Sequence, residues 1–113
     1  MSADLSIDFD DGREQISIPV APQSWLRDHW RPEAKIRSWG WVDLLCGNNL
    51  QITERADAVQ LLVELDELRS FVSALDNIAP SLQAGMLDRF DEWVPSVIKA
   101  VADWEGVRIL QIG

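Results

Sequence analysis

Alternating apolar and polar residues mark the start of the chain as a β-hairpin. Alternation over about four to eight residues is typical of a strand with one buried face, and an Asp-Gly pair between two such runs favours the positive φ angles of a tight turn. The apolar positions are Leu5, Ile7 and Phe9 before Asp11-Gly12, and Ile16, Ile18 and Val20 after it. The pattern predicts a hairpin over residues 5–20, and Pro19 places its second strand at a sheet edge.

The segment after the hairpin has no single period. Within residues 23–32, Ser24 is placed to cap a short helix that Pro32 would stop, and the pattern leaves the segment undecided. That helix would carry Trp25, Leu26, His29 and Trp30.

Alternation returns over residues 35–45 and predicts a strand, with Trp39 and Trp41 together on one face. The polar and glycine residues at 46–49 predict a turn, and residues 50–53 a short returning strand.

The clearest helix follows, because large aliphatic residues recur at alternating spacings of four and three. The apolar stripe consists of Leu61, Leu65, Leu68, Val72 and Leu75. Either Thr53 or Asp57 is the expected N-cap. The opposite, solvent-facing side is expected to carry Gln60, Glu64, Glu67 and Ser70.

A second helical region is predicted over residues 80–104, and it too carries an apolar stripe on one face. Its members are Met86, Phe90, Trp93, Val97, Val101 and Trp104. Pro95 predicts a kink or a break, with Asp91 as the cap of a second piece. Glu105-Gly106 should close the helix, and residues 107–112, apolar on both sides, predict a buried central strand. The element order predicts one α+β domain, residues 1–113, in which two or three helices pack on one face of a mostly antiparallel sheet.

The net charge of the chain limits the classes of partner that it can bind. Nineteen Asp and Glu residues against ten Lys and Arg give a formal net charge of −9. Nucleic acids and anionic membranes are bound through Lys and Arg, so we expect neither as a direct partner. A basic protein, by contrast, would be attracted over long range.

The location is predicted from what the sequence lacks. A lone cysteine excludes an intrachain disulfide, and the N-terminal residues have neither the basic nor the apolar region of a signal peptide. No apolar run approaches the roughly 20 residues that span a bilayer. We therefore expect a cytoplasmic protein.

Candidate catalytic groups are few. His29 is the single histidine, its neighbour Asp28 is poorly placed to orient it, and Cys46 is the single cysteine. These two residues cannot form a tetrahedral zinc site without carboxylates, and residues 8–12 have glycine at the fifth position of a calcium-type loop, which requires it at the sixth. We expect no enzyme activity, no metal and no cofactor.

The charges and tryptophans are unevenly distributed. Carboxylates concentrate in residues 1–14, 54–76 and 88–105, whereas residues 27–37 hold four bases against two acids. The chain has six tryptophans and no tyrosine. Trp93 and Trp104 lie on a core stripe, whereas Trp39 and Trp41 share a face with charged residues, where either a partner or a covering helix would bury them.

Small size, acidity, an α+β domain and the absence of a catalytic motif make this chain similar to the small acidic immunity proteins of bacterial toxin systems, including contact-dependent growth inhibition. The resemblance rests on no specific motif. It implies a stoichiometric inhibitor whose acidic side chains dock onto the basic active cleft of a nuclease-like toxin. The candidate contact residues are Asp8, Asp10 and Asp11 on the hairpin, Glu64 and Glu67 on the helix, and Trp39 and Trp41.

Two other functions fit the sequence. One is an assembly or adaptor protein, a monomer or weak homodimer, in which Trp39 and Trp41 join two copies. The other is a small carboxylate-dependent enzyme, which requires two carboxylates with raised pKa values in a deep cleft.

Overall fold

The computed structural model describes residues 2–113 and gives an α+β fold, as predicted. The strands are β1 (Ser2–Phe9), β2 (Ile16–Pro22), β3 (Leu50–Ile52) and β4 (Val107–Ile112). The helices are α1 (Gln23–Trp25), α2 (Arg31–Arg37), α3 (Gly40–Cys46), α4 (Arg55–Ser73) and α5 (Pro80–Ala102). A π turn (Leu26–Trp30) joins α1 to α2, and a 3-10 turn (Trp104–Gly106) follows α5. Within residues 2–113 the helices thus form four stretches, more than the two or three that were predicted.

The four strands form one antiparallel sheet in the order β2-β1-β4-β3. The prediction of a hairpin is confirmed, since β1 and β2 pair with each other. The predicted positions are confirmed as well: β2, which contains Pro19, lies at an edge of the sheet, and β4 lies at its centre. Alternation divides the sheet into two faces. One inward row consists of Ile18, Leu5, Ile112 and Leu50, and the adjacent outward row of Ser17, Ser6, Gln111 and Gln51. The outer face of these central rows is therefore polar, although Ile109 of β4, opposite Asp8, also lies on it.

The inward face is covered by the long helices. α4 and α5 run antiparallel, because Arg55 near the start of α4 donates to the Val101 carbonyl near the end of α5, and Gln83 donates to the Val72 carbonyl. Their apolar stripes are buried as predicted, apart from Leu75, which lies beyond the end of α4, and Trp104, which is half-buried. The aromatic centre of the core is a stack of Trp30, Phe90 and Trp93, with ring centroids 4.9 and 6.2 Å apart.

The largest difference from the prediction concerns residues 23–46, which are helical almost throughout. Pro32 does not stop the first helix: it lies in the first turn of α2, where no N–H is needed. The preceding π turn shifts the bonding pattern, so that the Arg31 N–H bonds to the Leu26 carbonyl.

The predicted strand over residues 35–45 is wrong. Ser38, with φ 58° and ψ 39°, ends α2 in the left-handed conformation, and α3 begins two residues later. The buried positions Trp39, Val42 and Leu45 are three apart, which is a helical spacing. The alternation was misleading because Ile36, assigned to an apolar strand face, is 76 % exposed.

Three local predictions also fail. The hairpin connection is a longer loop over residues 10–15 rather than a tight two-residue turn at Asp11-Gly12, although Gly12 has the expected positive φ of 93°. α4 is preceded by Glu54, and no side chain caps it. α5 continues through Pro95, with Asp91 inside it, because the buried residues on either side of Pro95 pack into one core.

Candidate functional site

Glu64 lies at the junction of α3 and α4 and holds the start of α3. No side chain within α3 caps its first turn; instead the N–H groups of Trp41 and Val42 donate to Glu64 Oε1 at 2.9 and 3.0 Å. The prediction that Glu64 faces solvent is wrong, since the residue is only 6 % exposed. Burial raises the pKa of Glu64, and the two N–H donors act against that shift.

Trp39 and Glu67 form the second link of this junction. The Trp39 indole Nε1 donates to Glu67 Oε2 at 2.5 Å, and Trp39 is 4 % exposed. The Arg37 guanidinium lies 5.4 Å from the Trp39 ring centroid. Four predicted contact residues are thus neighbours, but Glu64, Glu67, Trp39 and Trp41 hold two helices of the same chain together. Trp39 and Trp41 lie around the start of a helix, not on a strand face.

The bases of residues 27–37 are each paired with a carboxylate. Arg27 bonds Asp28 at 2.7 Å, Arg37 bonds Glu33 at 2.6 Å, and Asp43 accepts from Arg31 at 3.0 Å and lies 3.5 Å from Lys35. Arg31 and Lys35 lower the pKa of Asp43, the hydrogen bond from Arg31 being the larger cause. The basic strip seen in the sequence is therefore neutralised locally.

The hairpin loop packs against the segment that connects α5 to β4. The Asp10 N–H donates to the Gly106 carbonyl at 3.1 Å, and Arg13 bridges Asp11 at 2.8 Å and Asp103 at 3.2 Å. A Cβ at Gly106 would overlap the Asp11 carboxylate and the Arg13 guanidinium, so a larger residue at this position requires these two exposed side chains to move.

This packing brings five carboxylates to one end of the molecule: Asp10, Asp11, Glu14, Asp103 and Glu105. We call this group the acidic end. Arg13 lowers the pKa of Asp11, chiefly through its side-chain hydrogen bond, so that this carboxyl group is ionised at neutral pH. The third hairpin candidate, Asp8, is part of β1 and pairs with Arg108 at 2.9 Å. No local pattern could place Asp103 and Glu105 beside the loop, because about ninety residues separate them from it.

Some carboxylates of the described residues have no base close enough to form an ion pair. Among residues 2–113, eight of the ten bases lie within 4.0 Å of a carboxylate; Arg55 and Lys99 do not. The acidic end contributes three carboxylates that have no such base, Asp10, Glu14 and Glu105. Eight other carboxylates in this part of the chain also lack such a base, and four of them lie on α4, namely Asp57, Glu64, Asp66 and Glu67.

The described residues, 2–113, contain no metal-binding group, no membrane-spanning helix and no exposed thiol. No three His, Cys, Asp or Glu side chains there are grouped so that they could hold a metal ion, and none of the helices has the length and apolar character needed to cross a bilayer. Cys46 is buried, which raises the pKa of its thiol to about 12. Comparison with known proteins finds no matching family model, curated protein or solved structure.

Proposed function

We propose that this chain is a cytoplasmic immunity protein that neutralises a basic, nuclease-like toxin by binding it stoichiometrically through the acidic end. The observation that supports this proposal most is the convergence of five carboxylates from the hairpin loop and the α5–β4 connection, of which Asp10, Glu14 and Glu105 have no base within 4.0 Å among the described residues.

The charge arrangement suits an inhibitor of an enzyme that binds nucleic acid. The cleft of such an enzyme is lined with Lys and Arg that receive phosphates, and carboxylates can accept hydrogen bonds from the same donors. Complementary charge speeds association by one or more orders of magnitude at low salt. The Arg13 bridge holds the loop in one conformation before binding, which reduces the entropy lost in the complex.

The contact assigned to Trp39, Trp41, Glu64 and Glu67 has less support. Trp39 is buried against α4, and Glu64 is used by α3. Asp8 is engaged by Arg108. We therefore assign the docking surface to Asp10, Asp11 and the carboxylates that join them at the acidic end.

A growth assay tests the function. The chain is co-expressed with the C-terminal domain encoded by the reading frame immediately upstream of its own. The proposal predicts that this domain alone arrests growth and that the chain restores it. The triple substitution D10K/E14K/E105K should abolish the rescue, because it reverses the three carboxylates of the acidic end that have no base within 4.0 Å in the described part of the chain.

The matched control is D4K/D76K/D88K, which reverses three exposed carboxylates elsewhere and produces the same net charge. This control should still rescue growth. If both triple variants rescue as well as the wild type, the acidic end is not the docking surface. If the wild-type chain rescues no growth arrest, the immunity function is refuted for this pair.

A further inference from the structure

An apolar groove lies between α4 and α5 on the side away from the sheet. Its volume is about 420 Å³, and its floor and walls include Leu62, Val94, Pro95 and Ile98. Ile98 is 53 % exposed. Val59, three residues before Leu62, extends the same side of α4, and Val63 flanks this side one turn after Val59; both valines are exposed. Large apolar residues that are left in water side by side mark an interaction surface.

The two ends of this surface carry opposite charge. At one end Asp66 and Asp91 line the groove. Asp91 forms an ion pair with Arg69, with 3.3 Å between the carboxylate oxygen and the guanidinium nitrogen. At the other end lies Arg55, which donates to the Val101 carbonyl and has no carboxylate within 4.0 Å among the described residues. Arg55, Val59, Leu62 and Asp66 follow one another at spacings of four, three and four, so they form one stripe along α4.

We propose that this face binds a second copy of the chain in a twofold-symmetric homodimer. A symmetric interface requires a surface that is complementary to itself. A twofold axis through the apolar centre, near Leu62 and Ile98, places the Arg55 end of one copy opposite the Asp66 end of the other, and does so twice. The valines and Ile98 of the two copies then cover each other.

Charge balance favours a second copy over the basic partner of the proposed function. Along this face two carboxylates, Asp66 and Asp91, accompany two bases, Arg55 and Arg69, so the face is neutral in a chain of net charge −9. A surface selected for a basic partner would carry the excess of acid found at the acidic end. The two surfaces involve different residues, so the dimer is tested independently of the proposed function.

Sedimentation equilibrium of the purified full chain at about 0.15 M salt tests the proposal. We expect a concentration-dependent dimer at protein concentrations up to about 500 µM. Ile98→Asp should weaken the dimer by about 100-fold, because each interface contains two copies of this side chain. Ile36→Asp is the matched control: Ile36 is also exposed but lies on α2, and this variant should dimerise like the wild type.

Charge exchange gives the more specific test. Arg55→Glu and Asp66→Arg should each be monomeric, since each places like charges opposite one another at both ends. An equimolar mixture should form a heterodimer, in which the introduced carboxylate of one variant faces the introduced guanidinium of the other. A monomeric wild type, a dimer that Ile98→Asp leaves intact, or a mixture that stays monomeric would each overturn the proposal.

Discussion

Truncation of Glu64 tests how α3 is held in place. Glu64 Oε1 accepts the N–H groups of Trp41 and Val42 at 2.9 and 3.0 Å. Both N–H groups belong to the first turn of a helix, where the helix itself provides no acceptor. Glu64→Ala therefore removes the only partner that these two groups have among the described residues.

The expected loss in the free energy of unfolding follows from the burial of these two N–H groups. A buried donor that loses its acceptor costs about 1–3 kcal/mol; Val42 is fully buried and Trp41 half-buried, so we expect about 3 kcal/mol for the pair. For 113 residues the entropy of unfolding is about 0.24 kcal/mol/K, so Tm should fall by about 12 °C. Glu64→Gln keeps an oxygen acceptor and should cost no more than about 1 kcal/mol.

Urea unfolding, followed by tryptophan fluorescence and far-UV circular dichroism, measures these free energies. The control is Asp88→Ala, an exposed carboxylate on α5 with no base within 4.0 Å among residues 2–113, which should change the free energy of unfolding by less than about 0.5 kcal/mol. The reasoning is refuted if Glu64→Ala is as stable as this control, or if Glu64→Gln is as unstable as Glu64→Ala.

Glu64 also predicts a pH dependence. Burial raises the pKa of its carboxyl group above the ordinary value of 4.5. Because the native state then binds the proton more tightly than the unfolded state, this stabilising contribution is full below about pH 4.5 and is lost as the pH rises through the native pKa. The free energy of unfolding of the wild type relative to Glu64→Gln should therefore fall between about pH 4 and pH 7. A difference that rises over this range would contradict the direction of the shift.

Three further outcomes follow from the structure. Trp39→Phe and Glu67→Ala should be non-additive by about 1 kcal/mol in a double-mutant cycle of unfolding free energies, because they share one hydrogen bond; additive effects would refute that bond. Cys46, with its pKa raised to about 12, should react with iodoacetamide only as fast as the chain opens, and rapid labelling of the native chain would be inconsistent with its burial. Gly106→Ala should displace the Asp11 carboxylate and weaken binding of a basic partner while leaving the chain folded, as circular dichroism and calorimetric titration would show.

The sequence was sufficient to predict those helices and strands whose hydrophobic pattern agrees with the way they pack in the structure. The hairpin, α4 and α5 each carry an apolar stripe of the correct period, and the structure buries most of each stripe. β4 was predicted from its apolar run, and it lies at the centre of the sheet. The α+β class follows from their order. These elements are long enough that the burial of one face outweighs local exceptions such as Pro95.

Residues 23–32 were left undecided and residues 35–45 were wrongly predicted as a strand, because the local signals of both segments conflict with their tertiary contacts. Pro32 is a stop signal, yet the π turn before it lets the helix continue. The alternation in residues 35–45 resembles a strand, but α3 is fixed by Glu64 of a distant helix. No local pattern reveals an acceptor that lies more than twenty residues away.

The candidate site was predicted in part. Asp10 and Asp11 could be singled out from the hairpin turn, but Asp103 and Glu105 join them only because β4 pairs with β1 and brings the α5–β4 connection beside the loop. The placement of Trp39 and Trp41 on a strand face was wrong for the opposite reason. Their surroundings, charged in sequence, become the buried junction of α3 and α4.

Calorimetric titration of the chain into the upstream-encoded basic domain tests the central proposal most directly. At about 0.15 M salt we expect one-to-one binding by the wild type, with affinity reduced by about 100-fold in D10K/E14K/E105K and by less than about fivefold in D4K/D76K/D88K. Equal loss of affinity in the two variants, which have the same net charge, would mean that charge acts without a docking site. Unchanged affinity in the first variant would contradict the assignment of the acidic end.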